Sequence, residues 1–246
     1  MNRSGTVKGL ILIILLWYAA ALLVRSPIVP YPHLVGTRII EEAARRPIYL
    51  HTVLSLYRAV MGMLLAIAAA VPLGIAAGSK PALGDVINPL LYMGYPVPKI
   101  AFLPVFMVLF GIGDAAKIIL IAVIICFPMA ISVRDGVNEL SAGFTDLAKA
   151  FHLSSRAYLK EILLPGILPR IFSSLRISLG ISLSVLFFSE NFAASYGLGL
   201  FIMNSWIMAD YISMYSGIVI LGMAGFFLYR IIDMLEKLCI PWARGR

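Results

Sequence analysis

Six runs of apolar residues dominate this sequence, each near the length a helix needs to cross the hydrocarbon core of a bilayer. They run from Gly9 to Val24, Val53 to Gly78, Asn88 to Phe110, Ala116 to Val133, Arg176 to Ala194 and Tyr211 to Leu235. What lies between them cannot clothe a soluble core. Over 246 residues, 61% are hydrophobic and 13% charged, about half the charge of an ordinary soluble domain. The expected architecture is all-α: a polytopic membrane protein of about six spans, forming one domain over residues 1–246, with lipid as its main solvent. A cleaved signal peptide is the alternative reading of the first run, since Arg3 and Lys8 precede it. Ala19, Ala20 and Ala21 lie inside that run rather than after it, which favours a retained span.

The net charge of +8 does not point to nucleic acid, because no stretch combines clustered Lys/Arg with stacking aromatics. Basic residues instead concentrate at the N-terminus, between Arg134 and Arg176, and in the C-terminal tail. Positive-inside logic places all three in the cytoplasm, an even number of spans permits it, and the basic loops would face anionic lipid. Arg25, Arg38, Arg45 and Arg46 then fall outside. Cys126, Cys239, His33, His51 and His152 are scattered, so neither a disulfide framework nor a metal site is expected.

The second run carries Gly62, Ala66, Ala70, Gly74 and Gly78, small residues every four positions. Such a stripe lets another helix approach closely, and it is one candidate face for packing against a second copy of the chain. The third run holds Pro89, Pro96, Pro98 and Pro104 and cannot be one straight helix. Backbone freed at membrane depth must be covered or line a wet cavity, so Pro98 and Lys99 are candidates for a solute path. In the fifth run Ser174, Ser178, Ser182 and Ser189 fall within about 80° of one helical face. That face suits either a polar path or hydroxyl-mediated helix packing. Glu190 ends the run, as a functional group or as a helix-end hydrogen bond. Residues 36 to 46 read as a short amphipathic surface helix with Thr37 as N-cap.

No phosphate-binding Gly-x-x-x-x-Gly-Lys-Ser/Thr loop occurs. Gly111-Ile-Gly113-Asp-Ala-Ala116 matches a dinucleotide fingerprint in letters only, since it joins two membrane runs, and it is read as a turn. No catalytic constellation appears, so the chain is not expected to be an enzyme. Inverted repeats and mid-membrane charges, which a secondary transporter would want, are not visible either.

The polar stretch between the fourth and fifth runs is the most informative. It contains Asp146-Leu147-Ala148, then His152 after three residues, then Ile162-Leu163-Leu164-Pro165 after nine more. Locally this reads as a helix opened by Thr145 and ending near His152, then a second helix capped by Ser154 or Ser155 and stopped by prolines. The spacing resembles the signature of binding-protein-dependent ABC importer permeases: Glu-Ala-Ala, three residues, Gly, nine residues, Ile-x-Leu-Pro. Other stretches are similar to the nitrate, sulfonate and taurine branch of that family. They are His51-x-x-x-Ser55-Leu56-x-Arg58, Phe102-Leu103-Pro104-Val105-Phe106 before Phe110-Gly111-Ile112-Gly113, and Glu190 before Ser195-x-Gly197-Leu198-Gly199.

The resemblance implies an inner-membrane permease subunit without cofactors of its own. Its partners would be cytoplasmic ABC ATPase subunits that bind ATP and magnesium, an external solute-binding protein and a second permease copy. The ATPase-coupling residues would be Asp146, Leu147, Ala148, His152, Ile162, Leu164 and Pro165. The branch suggests a small anion such as nitrate, a sulfonate or taurine; similar permeases serve neutral vitamin precursors. His152 at the glycine position implies a left-handed turn at a residue that pays about 1–2 kcal/mol for it.

Overall fold

The computed structural model describes residues 3–44, 46–192 and 194–242; the side chains at 3, 4, 6, 46, 141, 142 and 144–149 lie outside the described set. Among the described residues the chain is helical throughout. Helix α1 (Arg3–Val24) is followed by α2 (Pro32–Ala43), α3 (Arg46–Ser79) and α4 (Pro81–Gly94). A 3-10 turn (Lys99–Phe102) leads into α5 (Leu103–Phe110), then α6 (Asp114–Ala150) and the short α7 (Ser155–Ala157). A π turn (Tyr158–Leu163) joins α7 to α8 (Leu164–Glu190), and α9 (Leu198–Ile207) and α10 (Tyr211–Cys239) complete the chain. Five helices are long and apolar enough to cross a membrane, or six with α4 and α5 as one span bent by 85°.

The bend follows from the prolines. Pro96 and Pro98 lack N–H donors, so the ladder ends at Gly94 and restarts only after Pro98. The expectation that this run is not one straight helix holds. So does the turn at residues 111–113: α5 ends at Phe110, Gly111 takes φ +86°, and α6 starts at Asp114.

Four local expectations are corrected. No helix starts at Thr145, because α6 runs unbroken for 37 residues to Ala150. Gly136 and Gly143 are the weakest helix formers after Val133, at about 1 kcal/mol each, and with no proline among residues 134–150 that is too little to stop a propagating helix. The prolines do not stop the next helix either. The Leu164 N–H reaches back five residues to the Leu159 carbonyl, and this widened turn admits the Pro165 ring without a break. The fifth run therefore belongs to a helix that begins well before Arg176 and ends at Glu190, not Ala194. The surface helix begins at Pro32, which is pre-set for a first turn, and Thr37 lies inside it, donating its hydroxyl to the Leu34 carbonyl at 2.8 Å.

Two compact units are present, Met1–Ser55 with Glu190–Ala224 and Leu56–Ser189 with Gly225–Arg246. The second unit holds a core of α3, α6 and α8, with Ile121, Ile125, Met129 and Val133 of α6 fully buried. The small-residue stripe of α3 is consumed here. A Cβ on Gly74 would stand 2.6 Å from the Ala130 carbonyl, and one on Gly78 2.7 Å from Val137 Cβ. The stripe packs α3 on α6 of the same chain and is not a face left for a second copy. Arg58 fixes the same pair of helices, its Nε 2.7 Å from Asp114 Oδ1. Arg176, inside α8, pairs with Asp233 and Glu236 of α10.

In the first unit, Trp17 stacks on Tyr215 at 5.6 Å and donates to the Pro30 carbonyl. Asp210 caps α10 through the Ser213 N–H at 3.1 Å. Burial pushes the Asp210 carboxyl up, but hydrogen bonds from Ser213 and the charge of Arg38 outweigh it and hold the group below the usual carboxylate range.

Candidate functional site

Among the described residues, three places gather the candidate functional groups. The first is the turn between α6 and α7. Its backbone reverses at His152, which takes φ +50°; histidine tolerates this left-handed region better than most residues. Ser154 then caps the next helix, its Oγ accepting from the Ala157 N–H at 3.2 Å. Asp146, Leu147 and Ala148 belong to the last turns of α6 by backbone, and their side chains lie outside the described residues. Downstream, Ile162 falls in the π turn, and Leu164 and Pro165 open α8. Two helices thus meet at one tight corner, and the second continues directly into a membrane-length helix.

The second place is the break between α4 and α5. There Lys99 Nζ donates to the carbonyls of Gly94, Tyr95 and Val97 at 2.6, 3.0 and 3.3 Å. Of these acceptors Gly94 stands four residues before Pro98, which has no N–H to offer it, so the ammonium joins the long 3.4 Å bond from the Val97 N–H in satisfying that carbonyl. The Phe127 ring lies 4.3 Å below the charge, a cation–π contact. It fits only because residue 94 is glycine: a Cβ there would overlap the ring. Lys99 lines a cavity of about 460 Å³ shared with α6 and α8.

The third place is the start of α9. Glu190, fully buried, accepts the Gly199 N–H at 2.8 Å. Ser55 Oγ lies 2.8 and 2.9 Å from its two carboxyl oxygens, one of which takes the hydroxyl proton. Ser55 in turn accepts from the Leu198 N–H at 2.8 Å. A carboxyl group at a helix N-terminus meets unsatisfied N–H groups and the positive end of the dipole. His51 Nδ1 lies 2.7 Å from the Gly197 carbonyl and 2.9 Å from the Gly197 N–H, so the tautomer decides which contact is the hydrogen bond.

Residues 70–240 match the family described as the binding-protein-dependent transport system inner membrane component. The chain belongs to that family. It is 30% identical over 98% of its length to the taurine transport system permease protein TauC of Escherichia coli, covering 91% of that protein. The putative aliphatic sulfonates transport permease SsuC of Bacillus subtilis is 29% identical over 98% of this chain and 89% of its own. The nitrate import permease NrtB of Leptolyngbya laminosa is 26% identical over 76% and 67% respectively. Its fold is that of a chain of the MetNI methionine ABC transporter in an inward-facing conformation, with TM-score 0.70 at 17% identity, covering 80% of this chain and 98% of that one. It is thus an ABC importer permease subunit of the nitrate, sulfonate and taurine type.

Within this permease the proposed path residues are dispersed. Ser178, Ser182 and Ser189 are buried, and Ser189 donates to the Leu186 carbonyl at 3.1 Å. Lys99 faces the cavity, Pro98 caps the 3-10 turn beside it, and Glu190 sits in the α9 cap. Residue-by-residue reading missed Ser184, which lines the same cavity as Lys99. It also missed Arg134, which holds Asn88 Oδ1 at 3.0 Å and Tyr92 Oη at 2.8 Å, and the buried Lys117 on α6. Ser184 carried a signal, a polar residue in an apolar run, but it lies off the serine face that the helix period picks out.

The His152 turn makes a measurable prediction. His152→Gly should stabilise the permease by about 1 kcal/mol, by relieving the left-handed strain less the extra chain entropy of glycine. The thermal midpoint in detergent should rise by about 2–4 °C. An unchanged or lower midpoint would mean that the imidazole makes compensating contacts.

Proposed function

We propose that this permease forms the substrate path of an ABC importer for a small solute with an oxyanion group, such as a sulfonate, taurine or nitrate, and that it is driven by a separate ATPase docked at the α6–α7 corner. Two copies of the permease, two ATPase subunits holding ATP and magnesium, and an external solute-binding protein make up the complex. Both termini and the 134–176 segment face the cytoplasm, and α2 and α9 lie on the external side. The observation that carries this reading is the near full-length similarity to permeases named for taurine and sulfonate transport. The His152–Ser154 corner supports it by giving a stiff junction between two long helices. Closure of a partner pair could tilt them as rigid bodies.

The test is reconstitution of the permease with its ATPase and binding protein in proteoliposomes. ATP-dependent uptake of a sulfonate, taurine or nitrate is expected, with native mass spectrometry showing two permeases and two ATPases. Reporter fusions at Leu153 and at the C-terminus should read cytoplasmic, and those at Ile40 and Asn204 external. Uptake of a neutral vitamin precursor and of none of these three solutes would overturn the substrate reading. A cytoplasmic signal at Ile40 would overturn the orientation.

A further inference from the structure

The cavity at the broken span has a lining that selects a chemical class. Its polar members are Lys99, Tyr95 and Ser184, and its walls are apolar, with Ile124, Ile181 and Phe188 among them. Lys99 has three carbonyl partners but no carboxylate partner among the described residues, so its positive charge is solvated by dipoles and not neutralised. The weakest of the three contacts, 3.3 Å to Val97, belongs to another lining residue. An incoming oxyanion can take that proton while the two shorter bonds keep the bend in place. Ser184 now donates to the Gly180 carbonyl of its own helix at 3.0 Å. Such an i−4 bond is readily exchanged for an external acceptor. Few convergent polar groups in an apolar cavity of this size are the usual make-up of a small-molecule site.

We propose that Lys99, with Ser184 and Tyr95, is the anion-coordinating station of the permease, and that it favours an organic monoanion with an apolar tail. This rests on the permease reading above and adds to it a residue that sets charge selectivity. A sulfonate or carboxylate head meets Lys99, and a short alkyl tail lies against Ile124, Ile181 and Phe188. A zwitterion fits less well, because no Asp or Glu stands among the described lining residues to receive its ammonium.

The test reads binding rather than transport, so it can fail independently of the uptake assay. In the full complex, with Cys126→Ala and Cys239→Ser removing the native thiols, Ile181→Cys places a reporter on the cavity wall. Thiol modification is timed with a sulfonatoethyl and with a trimethylammonium-ethyl methanethiosulfonate, probes of similar size and opposite charge. Because a thiolate attacks the cationic reagent faster in free solution, each rate is divided by that reagent's rate with a small free thiol; so normalised, the sulfonate reagent should react roughly tenfold faster than its cationic twin, as expected where a fixed charge concentrates counter-ions. Lys99→Gln should erase that ratio and Lys99→Arg should keep it. Butanesulfonate should protect the reporter at lower concentration than taurine. Equal normalised rates for the two reagents with Lys99 in place would overturn the proposal, whether or not the Gln variant assembles. So would a ratio that survives Lys99→Gln. Equal protection by taurine and butanesulfonate would overturn the preference for an apolar tail.

Discussion

Glu190→Ala is expected to cost the permease on the order of 3 kcal/mol, because it leaves the Gly199 N–H and the Ser55 hydroxyl without their acceptor inside protein. Glu190→Gln keeps one acceptor oxygen and should cost less. Gly197→Ala attacks the same site from the other side. A Cβ at 197 would overlap the Glu190 carboxyl carbon and lie 2.6 Å from one of its oxygens. The backbone at Gly197 is extended, so the penalty is steric and not conformational. Overpacking of this kind costs typically 1–3 kcal/mol. The two effects share one cause and cannot add. With Glu190 already truncated, Gly197→Ala should cost much less than it does alone, giving a coupling of about 1 kcal/mol or more in a double-mutant cycle. Unfolding midpoints of the four purified forms measure this, and additive losses would show that Glu190 and Gly197 do not constrain one another.

That cap shows where sequence reasoning stops. His51, Ser55, Glu190 and the Gly197–Gly199 stretch were legible as separate pieces of a family pattern. Nothing in the sequence says that Ser55 would meet Glu190 across 135 positions. Long-range pairing is a property of packing, and no local period encodes it. The membrane helices were legible, because a bilayer imposes one length and one composition on every span. Their ends were not. Prediction placed helix starts at Thr145 and Arg176, where polarity changes, yet polarity marks where a helix leaves lipid and not where its hydrogen bonds cease. Hence α6 runs on to Ala150 and α8 begins at Leu164. Pro165 misled for a related reason: its cost assumes a regular α-helical ladder, and the π turn before it is not regular. The small-residue stripe was read correctly as a close-packing face. Its partner was a matter of topology, and α6 of the same chain lies against it.

The largest functional effect is expected from a change at the α6–α7 corner. Ala148 lies in the last turns of α6, four residues before the left-handed reversal at His152. In the reading proposed here this is the segment the ATPase grips. Ala148→Arg should leave membrane insertion intact, since the substitution falls well past the apolar part of α6, which ends by Leu140. Arginine is also a good helix former, so the end of α6 should persist. At a docked partner, however, the new side chain brings excess volume and an unpaired charge. Overpacking costs typically 1–3 kcal/mol and desolvating the charge adds to it, enough to weaken a small interface by one or two orders of magnitude. The expected result is normal abundance of the variant in membranes, loss of ATPase co-purification and loss of uptake. The Ile181→Cys labelling ratio should be unchanged, because the cavity is lined by the permease's own residues, none of them at the corner. Wild-type uptake with the ATPase still bound would mean that the corner is a passive connector, and force transmission would then have to run through another part of the permease.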